Sequence, residues 1–291
     1  MMRPITIFLI MLLPVMGFSQ RDWSQVSVKT TEIAPGLYRL FVGDGVAVVA
    51  SVGENGLLVI DAAYAQTTPQ LMEAIKKLSE APIHYLVNTH LHGDHTGGNV
   101  ELGRNADIIA HSSVKEYLST ERIQGDRTIP PLPDHAVPNI TFSDRMTLDF
   151  NGQTLEMTHL PEGHTGGDII VWFPESRVLV MGDLLFAGYF PFVDVSNGGH
   201  PQGFMDNVAW ILENFPQETT LIGGHGPVFN MQQLKEYHQT LAKTMEMVKN
   251  AKEKGMSQEE MKAERILKSW ENYGTFFITE DRWIETIYPF L

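Results

Sequence analysis

Apolar residues recur in short runs along the first part of the chain, and glycine-rich turns separate the runs. Between residues 26 and 61 the runs are short or alternate with polar residues, which is typical of β-strands. From Thr68 to Leu78 the apolar positions follow a helical spacing instead, so we predict an amphipathic helix there. Pro82 precedes a further apolar run that predicts a buried strand. The predicted strands are residues 36–42, 46–50, 57–60 and 83–87.

A similar order of strands and helices returns in the second half of the chain. Strands are predicted at 155–159, 169–173, 178–181 and 220–222, and helices at 204–214 and 231–254. Two β-then-α halves of similar size predict an α/β fold, a four-layer αβ/βα sandwich in which two sheets face each other beneath outer helices. The proline-rich stretch 129–133 is predicted to be a surface loop.

The first residues differ in character from the rest of the chain. Arg3 precedes an almost wholly apolar run, and Gly17 and Ser19 place small residues where a signal peptidase requires them. A membrane anchor is the alternative, but the run is shorter than the roughly 20 residues that a spanning helix needs. We therefore predict a signal peptide at 1–19 and a single domain at 20–291 that ends in a helical extension from about residue 231. The expected location is the periplasm or the exterior of the cell.

The amino-acid composition excludes some classes of binding partner and some kinds of metal ligand. The 43% hydrophobic and 19% charged residues are typical of a globular protein, and the net charge of −14 argues against a nucleic-acid partner. Without cysteine the chain has no disulfide, no lipidated thiol and no thiolate ligand, so histidine and carboxylate side chains would have to hold any metal. We expect a small-molecule substrate and no membrane span after cleavage of the signal peptide.

The segment Asn88-Thr-His-Leu-His-Gly-Asp-His95 carries the strongest chemical pattern. It places His90, His92, Asp94 and His95 directly after a predicted strand, and these side chains suit zinc, which binds imidazole and carboxylate. A solvated histidine-rich loop is the alternative interpretation.

Three distant residues occur in comparable settings, each at a predicted strand end among glycines. They are His164, Asp183 and His225. Glycines allow sharp turns and a close approach of the backbone to a site. Any one of the three alone would be interpreted as a turn or capping residue, but three at successive strand ends favour a shared site.

The pattern His-x-His-x-Asp-His, followed by Gly-His-Thr, Gly-Asp and Gly-His-Gly, resembles the metallo-β-lactamase fold superfamily of hydrolases over roughly residues 30 to 230. The resemblance implies two zinc ions per chain and a bridging role for Asp183. It also implies that Asp61 holds the histidine loop in place. The alternative interpretation is that Asp61 is only a turn residue at the end of a strand. The implied ligands of the first ion are His90, His92 and His164, and those of the second are Asp94, His95 and His225.

Two zinc ions imply a mechanism in which a metal-bridging hydroxide attacks a carbonyl group. In this mechanism Asp94 and Asp183 contribute negative charge to the metal pair. The site implied by Asp183 is similar to that of glyoxalase II, since the zinc β-lactamases have cysteine or serine at that position. Phe186 stands where many lactonases carry tyrosine, and the basic residues that bind glutathione are not found. Hydrolysis of a lactam, lactone, ester or thioester is therefore expected, with β-lactams among the candidate substrates and a glyoxalase II-like lactone or thioester hydrolase as the alternative. A non-catalytic metal- or ligand-binding protein is the hypothesis from another class.

An aromatic segment, residues 184–193, follows Asp183. Its side chains could form an apolar wall for the substrate or pack in the core, and the sequence favours neither. The histidines that lack a ligand-spaced neighbour are interpreted as ordinary packed or exposed residues. His200 is the exception, because it lies just beyond the aromatic segment and is therefore kept as a candidate. The candidate pocket residues are Phe186, Tyr189, Phe190, Phe192 and His200.

Overall fold

The computed structural model describes residues 22–43 and 45–291, so the predicted signal peptide lies outside the described residues. The strands are β1 (Val28–Ala34), β2 (Leu37–Val42), β3 (Val46–Gly53), β4 (Gly56–Ile60), β5 (Ile83–Val87), β6 (Asp107–His111), β7 (Arg122–Gln124), β8 (Arg127–Ile129), β9 (Ile140–Phe142), β10 (Arg145–Phe150), β11 (Gln153–His159), β12 (Ile169–Phe173), β13 (Val178–Phe186), β14 (Thr220–His225) and β15 (Phe229–Asn230). The α-helices are α1 (Thr68–Leu78), α2 (Gly93–Thr96), α3 (Asn99–Leu102), α4 (Ser112–Ser119), α5 (Pro201–Asn214), α6 (Met231–Glu253), α7 (Gln258–Ala263) and α8 (Glu280–Ile287).

The first sheet has the order β1-β2-β3-β4-β5-β6-β9. Strands β1 to β4 form an antiparallel meander, and β4, β5, β6 and β9 pair in parallel. Every residue of β4 is buried, as expected for a strand covered on both faces. The parallel pairing brings the carboxyl ends of β4 and β5 to one edge of the sheet.

The second sheet has the order β10-β11-β12-β13-β14-β15 and is antiparallel except for the pair β13–β14. Strands β7 and β8 form a separate two-stranded hairpin, which lies in sequence between β6 and β9 of the first sheet.

Three apolar clusters show how the layers pack. One joins the two sheets and includes Val49, Ile60, Met157 and Val171. A second packs the first sheet against α1, and a third packs the second sheet against α5, α6 and α8. The order helix, sheet, sheet, helix confirms the predicted α/β four-layer sandwich.

The structure corrects several predicted boundaries. Strand β13 continues to Phe186 and β14 to His225, because the glycines that predicted turns there pair across these two parallel strands with local irregularities in register. Helix α5 begins at Pro201 instead of near residue 204, since the ring of His200 accepts hydrogen bonds from the first backbone N–H groups. No element was predicted between residues 96 and 154, where short strands and helices form.

Candidate metal centre

Four of the predicted ligands lie on the loop between β5 and α2 or in α2 itself. His90 and His95 are fully buried, whereas His92 and Asp94 are partly exposed. Asp61, at the end of β4, holds this loop in place. Its carboxylate accepts hydrogen bonds from the Thr89 backbone N–H at 2.8 Å and the Thr89 hydroxyl at 2.8 Å, and it lies 2.7 Å from His95 Nδ1. The strand end therefore fixes both the backbone of the loop and the ring orientation of His95.

The other three predicted ligands come from the second sheet. His164 lies in the turn between β11 and β12, and Asp183 and His225 lie within β13 and at the end of β14. Gly224 allows these strands to approach, because a Cβ atom at that position would lie 2.0 Å from Asp183 Oδ1. A glycine in β14 is thus required beside the aspartate.

The seven side chains converge into two adjoining groups around Asp183. Its Oδ2 lies 3.4 Å from His164 Nε2 and 3.2 Å from His225 Nε2, and its Oδ1 lies 3.2 Å from His95 Nε2. In each group, one ligand atom per residue lies within 4.8 Å of the others. The groups are His90, His92, His164 and Asp183, and Asp94, His95 and His225.

In each of the five histidines of the site, the ring nitrogen that faces away from the other ligands has a hydrogen-bond partner. His164 Nδ1 lies 2.7 Å from the Phe192 carbonyl and His225 Nδ1 lies 2.6 Å from the Gly45 carbonyl. His92 presents Nε2 to Asp194 at 2.9 Å. Such contacts select the tautomer and direct the other nitrogen inward, as around protein-bound metals.

The inward atoms fit a metal. His90 Nε2, His95 Nε2 and Asp183 Oδ1 are buried and make no hydrogen bond of acceptable geometry with the described residues, although the last two atoms lie 3.2 Å apart. Unsatisfied buried polar atoms are costly, so several that point at one place indicate a group that would satisfy them. Imidazole and carboxylate donors without thiolate suit zinc and other divalent transition metals.

The charges of the site agree with this interpretation. Burial lowers the pKa of His90 well below its usual value and that of His164 to about 4. Burial also opposes protonation of His225, but the Asp183 and Asp94 carboxylates together outweigh it and raise the pKa of His225 to about 10. Carboxylates likewise raise the pKa of His95, with Asp183 contributing most. A bound cation would take over the neutralising role of these two imidazolium rings.

A cavity of about 580 Å³ opens onto four of the seven residues, His92, Asp94, Asp183 and His225. Phe186 and Phe192 line it, as one of the two interpretations of the aromatic segment predicted. Phe276 and Phe277 also line it and were missed by the sequence analysis. They lie between a 3-10 segment (Lys268–Gly274) and α8, far from the histidine motifs in sequence. The sequence signal that could have identified them is that two phenylalanines stand next to each other in a polar segment.

Three candidate pocket residues do not line this cavity, and the prediction for them is corrected. Phe190 is buried in the core and its ring stacks on Trp283. Tyr189 lies behind Phe276, with ring centroids 5.0 Å apart. His200 caps α5 and packs against Phe290. Strand β13 ends at Phe186, and the chain then turns, so alternate aromatic residues face the core and the cavity.

A family model of the metallo-beta-lactamase superfamily matches residues 41–225, and the chain belongs to this superfamily of hydrolases. A metallo-beta-lactamase type 2 from Bacteroides fragilis is 23% identical over 77% of this chain and 90% of its own length. A hydroxyacylglutathione hydrolase from Synechococcus sp. is 29% identical over 62% of this chain and 64% of its own. The structure of a metallo-beta-lactamase from Pontibacter korlensis aligns with a TM-score of 0.62 at 19% identity, covering 74% of this chain and 99% of that one. Against another curated relative the match spans 44% of the relative's length.

Proposed function

We propose that the protein is an exported dinuclear zinc hydrolase that cleaves a carbonyl substrate, namely an ester, lactone, thioester or lactam. The observation that carries the proposal is the convergence of seven ligand-type side chains, three of whose buried inward atoms have no hydrogen-bond partner among the described residues. His90, His92 and His164 would hold one ion, Asp94, His95 and His225 the other, and Asp183 both. When bound, the ions supply Lewis acidity toward a carbonyl oxygen and lower the pKa of water.

The protein side chains prepare the site for this chemistry. Asp61, Asp194 and the carbonyls of Phe192 and Gly45 hold the histidine rings at fixed angles before any ligand binds. Phe186, Phe192, Phe276 and Phe277 form an aromatic part of the cavity wall, which would displace water from a bound substrate and so strengthen the electrostatic interactions there.

The cavity favours neutral substrates. No lysine or arginine occurs among the described residues that line it. A substrate carboxylate, as in a β-lactam or a glutathione thioester, would therefore find no cationic side chain, whereas a neutral ester or lactone needs none. We expect slow turnover of β-lactams and faster turnover of neutral acyl compounds.

Metal analysis and a substrate panel test the proposal together. Purified protein should contain two zinc ions per chain and hydrolyse aryl esters or lactones faster than a chromogenic cephalosporin. Asp183→Ala should lose metal and activity, whereas Asp206→Asn, on the exposed face of α5, should retain both. One tightly held iron would contradict the dinuclear zinc site. A fully metal-loaded protein that is inert toward the whole panel would favour the alternative of a metal- or ligand-binding protein.

Export rests on the apolar run before Ser19. We expect a mature N-terminus at about Gln20 or Arg21 in protein recovered from the native host. N-terminal sequencing measures this directly, and protein that retains Met1 would refute export through a cleaved signal peptide.

A further inference from the structure

A second cavity, of about 910 Å³, lies beside the metal centre. Its apolar lining comes from three places: Leu91 on the histidine loop, Tyr117 at the end of α4, and Ile123, Ile129 and Leu132 on and after the hairpin β7–β8. Ile123 is 82% exposed, although it is a large apolar side chain on the rim of this cavity.

The two cavities adjoin. Both are lined by His92, Gly93, Phe192 and Phe277. The rings of Phe192 and Phe277 meet edge to face, with centroids 5.6 Å apart, and lie on the border between the cavities. A molecule that places its reactive group at Asp94 and Asp183 can therefore extend past this aromatic pair under the hairpin.

The charged groups of the second cavity already have partners. Arg122 donates hydrogen bonds to the carbonyls of Tyr117 and Thr120, and its guanidinium carbon lies 4.2 Å from the centroid of the Tyr117 ring. The Asp194 carboxylate is bonded by His92, Ser196 and Asn197. An ionic substituent would compete with these contacts, whereas an alkyl chain would cover Ile123, Ile129 and Leu132 without disturbing them.

We propose that this second cavity is an acyl-chain subsite, so that the substrates of the metal centre are neutral esters or lactones with long acyl chains. The inference rests on the proposed hydrolase function for the identity of the reactive group. The two cavities together exceed the range of roughly 300–1,000 Å³ that is usual for the site of one drug-sized ligand, so a short acyl group would leave much of this space unfilled.

A chain-length series tests the subsite. The kcat/KM for p-nitrophenyl acetate, butyrate, octanoate and decanoate should rise by at least about tenfold from acetate to decanoate, since each buried methylene contributes roughly three- to fourfold. Ile123→Asp and Ile129→Asp should remove most of this rise and leave acetate hydrolysis within about twofold. Met247→Asp, at an exposed apolar position on α6 outside both cavities, is the matched control and should retain the rise.

Calorimetric binding of decanamide and acetamide separates this inference from the hydrolase proposal. Decanamide should bind at least about tenfold more tightly than acetamide, and Ile123→Asp should abolish the difference. If no ester is hydrolysed but this binding pattern holds, the subsite stands and the hydrolase function fails. If acetate is hydrolysed but neither kcat/KM nor amide binding depends on chain length, the subsite is refuted.

Discussion

Asp168 closes the turn that carries His164. Its carboxylate accepts hydrogen bonds from the Thr165 backbone N–H at 2.8 Å and from the Thr165 hydroxyl at 2.5 Å. Burial raises the pKa of Asp168 to about 7, although the two bonds from Thr165 oppose that rise. A carboxyl group that is needed for the shape of this turn is thus also a group that resists ionisation in the folded protein.

Asp168 should make the folded protein less stable as the pH rises. Between pH about 4 and about 7 the folded state holds a proton that the unfolded state has lost, so the free energy of unfolding falls across this window, by at most about 4 kcal/mol. Asp168→Asn removes the titration and should flatten this part of the profile, whatever constant offset it adds. Urea unfolding at a series of pH values measures both profiles. Asp149→Asn, at an exposed position, should retain the slope, and an unchanged slope in Asp168→Asn would contradict the assignment.

At the scale of the elements, strong apolar runs were predicted with the correct bounds. Strands β5 and β12 and helix α1 occur where the sequence placed them, because each is a continuous apolar run or has clear helical spacing. Strand β10 was missed, although its Met146, Leu148 and Phe150 alternate with polar residues, which is the pattern that predicts a strand. The aromatic segment could not be assigned from sequence, because the core partner of Phe190 is Trp283, which is distant in the chain.

The two faces of this segment predict opposite consequences for two phenylalanines. Phe190→Ala removes a ring that is buried against Trp283 and should lower the free energy of unfolding by about 3–5 kcal/mol. Phe192→Ala truncates a partly exposed ring of the cavity wall, so it should cost less stability and change the ratio of kcat/KM between two acyl substrates by about 1–3 kcal/mol. Denaturant unfolding, kinetics and elemental analysis of both variants test this pairing. If Phe190→Ala were as stable as the wild type but had changed selectivity, Phe190 would have to be interpreted as a residue of the substrate pocket.

At the scale of the molecule, the candidate site depends on the packing of one sheet on the other. The motifs were sufficient to predict all seven residues that converge, because each motif lies near a strand end and the carboxyl ends of the central strands meet. The sequence could not predict the contribution of Phe276 and Phe277, since their position depends on how α8 packs on the second sheet. Among the described residues no helix has both the length and the apolar character that a membrane span requires.

Each proposed metal ion would join the two sheets, and its removal should therefore destabilise the whole sandwich. The first group combines His90 and His92 of the first sheet with His164 and Asp183 of the second. The second group combines Asp94 and His95 with His225 in the same way. A ligand that binds the folded state alone stabilises it by about 4 kcal/mol at a thousand times its Kd.

Chelation should consequently lower the Tm by about 10 °C, given roughly 2–4 °C per kcal/mol for a chain of this size. Readdition of zinc should restore the Tm, and amide exchange should become faster in both β5 and β14, because both sheets lose the connection. His225→Ala should show a smaller chelator effect, since one group has lost a ligand, whereas His238→Ala, on α6 outside both groups, should respond as the wild type does. A metal-free protein, verified by elemental analysis, with an unchanged Tm would mean that the seven side chains do not hold the sheets together through metal.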